Sequence, residues 1–160
     1  ILPLGIRRKA GLSIASFLLE NGADLATITE EIFSRKAIAS TRLLGYCLDT
    51  MRFAANDTVC WSVVPRQEFE NTGAKDEDTE GFANELLSIE TVRAAALIRE
   101  PKHNRVRVSL RSRTGVDVAA VARRFGGGGH MNAAGFTFDG PLDEIEPALV
   151  AALERCSASS

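Results

Sequence analysis

In the stretch RVRVSLRSR, residues 105–113, Val106, Val108 and Leu110 alternate with Arg105, Arg107, Ser109 and Arg111. A period of two predicts a β-strand with one face in a core and the other, Arg113 included, carrying arginine. TVCWSVVP (58–65) and TVRAAALIRE (91–100) are rich in β-branched and apolar residues and predict two further strands, the first stopped by Pro65. GFTFDG (135–140) predicts a fourth. Turn residues at Asn56-Asp57, at PKHN (101–104) and at Gly115 separate these segments.

The first third of the chain has a different period. Leu12, Ile14, Ala15, Leu18 and Leu19 share one helical face, and Asn21-Gly22 supply a stop. Asp24 is placed to cap a second helix carrying Leu25, Ile28, Ile32 and Phe33, and Leu43, Leu44, Cys47, Leu48 and Met51 define a third. Three such helices predict a packed flank rather than a site. Further on, EGFANELLSI predicts a helix capped by Asp78 or Thr79, GVDVAAVARRF one capped by Asp117, and PLDEIEPALVAALERC a closing helix despite Pro147. Helices first, then strands mixed with helices, imply an α/β layered domain preceded by a small helical segment. The expected divisions are 1–55, 56–156 and a frayed tail at 157–160.

Composition changes this picture little. The chain of 160 residues has 45% hydrophobic residues and a net charge of −2, which gives no global pull towards nucleic acid or membrane. Its three cysteines, Cys47, Cys60 and Cys156, form no C-x-x-C pair, so they predict reduced thiols rather than a disulfide framework or a zinc site. No apolar run is long enough to span a bilayer and no signal pattern opens the chain, so the expected location is cytoplasmic.

Local charge matters more. Between residues 99 and 113, Arg99, Lys102, Arg105, Arg107, Arg111 and Arg113 face a single acid, Glu100. The acidic run Asp76, Glu77, Asp78 and Glu80 is expected to be a solvated loop. Beyond Arg113, at residues 123–136, comes RRFGGGGHMNAAGF, with Gly126, Gly127, Gly128 and Gly129 followed by His130. Glycine orders at an entropic cost, so such a run predicts positive φ or close approach by something else. A glycine turn that aims several N–H groups into one concavity holds phosphate oxygens. A histidine at its rim can donate to phosphate, stack on a base or act as an acid, and arginine grips phosphate bidentately. The constellation suits a phosphorylated or oligonucleotide ligand. With His103 and His130 as its two histidines, and no nucleotide-loop, nucleophile-elbow or H-E-x-x-H motif, the chain displays no complete catalytic or metal-binding centre of its own.

The segment SLRS…GVDVAAVARRFGGGGHMNAAGFTF resembles the C-terminal DHH-associated domain of the DHH phosphoesterase family. Within the family it is most like the NrnA-type oligoribonucleases that also dephosphorylate 3′-phosphoadenosine 5′-phosphate. The resemblance implies a mixed β-sheet flanked by helices, with 1–55 finishing a catalytic lobe and linker and 56–156 forming the substrate-binding domain. It implies two manganese ions held by Asp and His side chains, including D-H-H, in an N-terminal catalytic lobe. It also implies that this chain, which has no D-H-H, is inactive alone. Carried over by position, Arg111, Gly127, Gly128, Gly129, His130 and Asn132 match the family's substrate-binding pattern, with Glu80 and Asn84 as further cleft residues. Expected partners are short RNA or a phosphorylated nucleotide and the catalytic lobe, with no membrane and with homodimerisation left open. Other readings are a cyclic or linear dinucleotide phosphodiesterase of the same family, a non-catalytic nucleic-acid-binding module like that of alanyl-tRNA synthetase, and a RecJ-type exonuclease.

Overall fold

Helical spacing in the first third becomes α1 (Lys9–Glu20), α2 (Leu25–Thr29) and α3 (Ile38–Asp49) in a computed structural model. It describes residues 9–30 and 36–158, with side chains from residue 13 onward. Residues 1–8, the expected helical positions Ile32 and Phe33, the Leu12 side chain and the tail residues 159–160 lie outside that description. The chain divides into two compact units, residues 1–36 and 37–160. Within the first, Asp24 caps α2 as expected, accepting from the Ala26 N–H at 2.9 Å. The apolar stripe of α1 is not packed: Ile14, Phe17, Leu18 and Leu19 are all exposed.

The second unit begins at Ala37, ahead of the boundary expected at residue 55, because α3 is part of its core. Leu43 and Cys47 are fully buried with Cys60, Val64, Phe69, Phe82, Leu86 and Leu97. The helix stops at Asp49, and the helical spacing through Met51 gives way to a short strand, β1 (Arg52–Ala54). Ala55, Asn56 and Asp57 turn the chain with positive φ into β2 (Val59–Val64). Pro65 ends β2 and is also the N-cap of a helix the sequence reading did not contain, α4 (Arg66–Thr72). A 3₁₀ turn (Asp76–Thr79) and α5 (Phe82–Leu87) follow. Asp78 and Thr79 do not cap α5, whose N-cap is Gly81. The Asp78 carboxylate accepts from the Lys75 N–H at 2.7 Å, and the Thr79 hydroxyl donates to the Asp76 carbonyl at 2.6 Å. Both side chains close their own 3₁₀ turn.

β3 (Ala94–Lys102) extends past the expected end, so the tight turn is His103-Asn104, with Asn104 at φ 54°. After β4 (Arg105–Ser112) come α6 (Val118–Arg124), β5 (Gly128–His130), β6 (Ala133–Asp139) and α7 (Leu142–Ala158). Asp117 caps α6 through the Ala120 N–H at 3.0 Å. α7 tolerates Pro147 and runs through Ser157 and Ala158, where a frayed tail was expected. Ser157 is buried, with its hydroxyl 3.2 Å from that of Thr58 and its carbonyl accepting from Arg93 at 3.3 Å.

The six strands form one sheet in the order β1-β2-β3-β4-β6-β5, parallel between β2 and β3 and antiparallel elsewhere. The mixed sheet flanked by helices is thus observed, with β1 and β5 added to the four expected strands. One face packs Val106, Val108, Leu110 and Phe136 against α6 and α7. The other packs Cys60, Val64, Ala95 and Leu97 against α3, α4 and α5. On β4 that second face is the arginine face.

Candidate functional site

Side chains directly opposite in an antiparallel ladder leave the same face of a sheet. Arg107 pairs with Arg99 and Thr137, Ser109 with Leu97 and Gly135, and Arg111 with Ala95 and Ala133. The rows continue to β5, where Gly128 pairs with Gly135 and His130 with Ala133. Arg111 and His130 therefore face the same way, two strand spacings or about 10 Å apart, with Ala133 between them. Small residues at 128, 133 and 135 keep this part of the face a low shelf.

Beside the shelf, the segment from Lys75 to Asn84 folds over β3 and β4 and encloses a cleft of about 520 Å³. Its walls include Glu80, Asn84, Arg99, Arg107, Ser109 and Arg111. Asp76 reaches into it. One carboxylate oxygen accepts from the Arg99 Nε at 2.6 Å and the other pairs with the Arg107 guanidinium. Arg99 also donates to the Ser109 hydroxyl at 2.8 Å. Burial pushes the Asp76 carboxyl up, but hydrogen bonds and charge from Arg99 and Arg107 outweigh it and hold it below the ordinary 3.8. Asp76 was expected in a solvated loop. It is instead the counter-ion of two arginines that the register sets opposite each other.

Arg111 is placed differently. Its Nε donates to Asn84 Oδ1 at 3.1 Å and its Nη1 to the Leu110 carbonyl at 2.9 Å, both neutral acceptors. Among the described residues no carboxylate forms an ion pair with it. Burial and the Arg99 charge lower its pKa, opposed by the Glu80 charge, though a guanidinium stays protonated at neutral pH. A half-buried cation at the wall of an open cleft, held by neutral acceptors, has the chemistry to accept an anion.

The sequence of the sheet domain has known relatives. Residues 56–158 match the DHHA1 domain. The chain belongs to the DHHA1 domain family. Over 129 residues, 81% of the chain, it is 33% identical to the bifunctional oligoribonuclease and PAP phosphatase NrnA of Thermus thermophilus, and it spans 38% of that protein's length. An exopolyphosphatase-related protein from Bacteroides fragilis superposes with a TM-score of 0.85 at 28% identity, over 96% of this chain and 45% of that one. The pGpG-specific phosphodiesterase PggH from Vibrio cholerae shares the fold, with a TM-score of 0.55 at 10% identity, over 96% of this chain and 53% of that one.

Within this DHHA1 domain, three of the eight expected site residues, Glu80, Asn84 and Arg111, line the cleft. The glycine run does not form the expected nest of free N–H groups. Gly126 and Gly127 donate to the Arg123 and Ala122 carbonyls at 3.2 and 2.9 Å, ending α6, and Gly128 to His130 form the edge strand. Packing explains most of the run. A Cβ on Gly127 would lie 2.3 Å from the Gly135 carbonyl oxygen, and one on Gly129, at φ 142°, would lie 2.5 Å from that of Ala133. Gly126 has φ 76°. Gly128 has neither a positive φ nor any atom within 4 Å of a Cβ, so the fold itself does not require glycine there. It opens onto the shelf. His130 is exposed at the edge of that shelf.

Asn132 has a structural role. Its amide nitrogen donates to the Arg113 carbonyl at 2.8 Å and the Ser112 hydroxyl at 3.0 Å, which ties the β5–β6 hairpin to the end of β4. Arg113 is also structural: it donates to the carbonyls of Val92, Leu87 and Ile89 at 2.7, 3.4 and 3.1 Å. The sequence reading missed Asp76, whose partners lie 23 and 31 residues away. No local signal marks such a pairing. Among the described residues no three His, Cys, Asp or Glu side chains converge as metal ligands, so the two-manganese set implied by the resemblance does not fit here. Among them, too, no helix is long and apolar enough to cross a membrane.

Proposed function

We propose that this chain is the substrate-binding lobe of a metal-dependent phosphoesterase acting on short oligoribonucleotides or 3′-phosphoadenosine 5′-phosphate. The observation that carries this reading is Arg111, a half-buried guanidinium in an open cleft with neutral acceptors only. Arg111 grips a phosphate, the shelf of Gly128, Ala133 and Gly135 admits the sugar and base, and His130 closes the far edge. Manganese belongs, in this reading, to a catalytic lobe carried elsewhere in the polypeptide. The exposed apolar residues of α1, Phe17 at 62% among them, supply a surface for that lobe. Support comes from the DHHA1 match and from the nucleotide-directed activities in the names of NrnA and PggH.

The test is calorimetric binding of 3′-phosphoadenosine 5′-phosphate and of a short oligoribonucleotide. Arg111→Ala is expected to weaken binding by about 1.5–3 kcal/mol, the range of a charge-assisted bond in a partly desolvated site. Arg105→Ala, at the far end of β4, is expected to cost no more than about 0.5 kcal/mol. Equal small losses at both positions would overturn the reading.

A further inference from the structure

Arg99 and Arg107 stand directly opposite each other on β3 and β4, an arrangement of like charges that is unfavourable without an anion between them. Asp76 is that anion, and it bridges the pair with one oxygen to each guanidinium, as a phosphate would. The side chains are 12% exposed for Arg99, 22% for Asp76 and 51% for Arg107, so the bridge forms part of the cleft wall and still faces the opening. Arg99 is further occupied by the Ser109 hydroxyl. Over the whole lining, four cationic side chains meet three carboxylates, leaving one positive charge in excess.

We propose that Asp76 sets the charge capacity of this cleft at a single phosphate, excluding ligands in which a second phosphate is joined directly to the first. The proposal rests on the reading of the cleft as a phosphate site, and adds what that site refuses. A monophosphate meets Arg111 and leaves the Asp76 bridge intact. A second phosphate joined to the first finds the other cations of the cleft already paired, Arg99 and Arg107 with Asp76 and Lys75 with Glu77. Rejection by a like charge is a common source of specificity. Ligands with one phosphate at each of two separate positions remain acceptable, because each presents a single phosphate to the cleft.

The experiment titrates the full chain with adenosine 5′-monophosphate and adenosine 5′-triphosphate in buffer free of divalent cations. The wild-type protein is expected to prefer the monophosphate. Asp76→Asn is expected to raise triphosphate affinity about tenfold or more and to change monophosphate affinity less than about threefold. Equal gains for both nucleotides, or no gain for the triphosphate, would overturn the proposal. Asp76→Asn leaves two arginines facing each other, so a second variant guards against its failure to fold. Arg107→Ala, at a half-exposed position, leaves Asp76 with one guanidinium fewer and is expected to lower triphosphate affinity more than monophosphate affinity. Equal losses for both nucleotides overturn the proposal. Arg111→Ala separates the two levels: monophosphate binding that survives it, or is absent from the wild type, removes the phosphate-site reading and this proposal together. Binding that needs Arg111 but responds to Asp76→Asn equally for both nucleotides removes this proposal alone.

Discussion

The glycine run and the arginine row flank β6 on its two sides, and each is dense in one residue type, yet density means different things in the two. In the run, Gly126 and Gly129 meet backbone demands, and Gly127 and Gly129 let β5 lie against β6. Gly128 is the position free of such demands. In the row, Arg113 staples backbone carbonyls, Arg99 and Arg107 share Asp76, and among the described residues Arg111 is the one wall arginine held by neutral acceptors alone. In both regions most members of the cluster serve the fold. The ligand contact is argued from the member whose chemistry the fold leaves unused.

The sharpest way to break this comparison is within the glycine run. Gly127→Val is expected to cost about 3 kcal/mol or more in urea unfolding, because the backbone of β6 cannot retreat from the new side chain. Gly128→Ala is expected to stay within about 0.5 kcal/mol of wild type, which makes it a clean probe of ligand approach. Similar losses at both positions would show that Gly128 also belongs to the packing.

Next in size is the behaviour of Arg111 towards its own replacement and towards His130. Arg111→Lys should recover only part of the 1.5–3 kcal/mol lost in Arg111→Ala, about half, since an ammonium lacks the planar fork. In a double-mutant cycle on nucleotide binding, His130→Ala and Arg111→Ala should couple by about 0.5 kcal/mol or more if one ligand spans the shelf. Strict additivity would confine the ligand to the cleft and leave His130 outside it.

The framework of the domain was legible where one physical rule acts alone. Val106, Val108 and Leu110 announce β4 because one side of it faces α6 and α7 and the other does not. Ala94–Ile98 announce a strand but not its faces, since both are covered. Gly128-Gly129-His130 carries no alternation to detect, and Arg52-Phe53-Ala54 continues the helical spacing that precedes it, so both edge strands were hidden. Of the site, the arginine row and the glycine–histidine segment were visible as composition. What separates Arg111 from Arg107 is a carboxylate brought in by a distant turn, and only the folded chain makes that distinction.

Asn132 extends the comparison to a residue that resembles a ligand contact and acts as a latch. Asn132→Ala is expected to cost about 1–2 kcal/mol of stability by freeing the hairpin from β4 and leaving the Arg113 carbonyl with the Val116 N–H as its remaining donor. Thermal unfolding checks this, and an unchanged midpoint together with weakened nucleotide binding would return Asn132 to the site.

The smallest expected effect is the acid limb of stability. The Asp76 carboxyl titrates below 3.8 in the folded protein, so its contribution is complete above that value and is lost as the pH falls through the folded-state value. Unfolding curves of wild type and Asp76→Asn should therefore converge below about pH 4 and differ by a constant amount above it. A difference that persists unchanged into strong acid would mean that the arginine bridge contributes nothing to the fold.

The β5–β6 hairpin is fastened at both ends, by the Gly126 and Gly127 N–H groups at the close of α6 and by the Asn132 amide at the end of β4. A segment rich in glycine would otherwise forfeit much backbone freedom when something docked on it. Here that freedom is surrendered when the protein folds. Docking on the shelf then costs the incoming molecule its own motion and little of the chain's, so modest contacts suffice for measurable affinity.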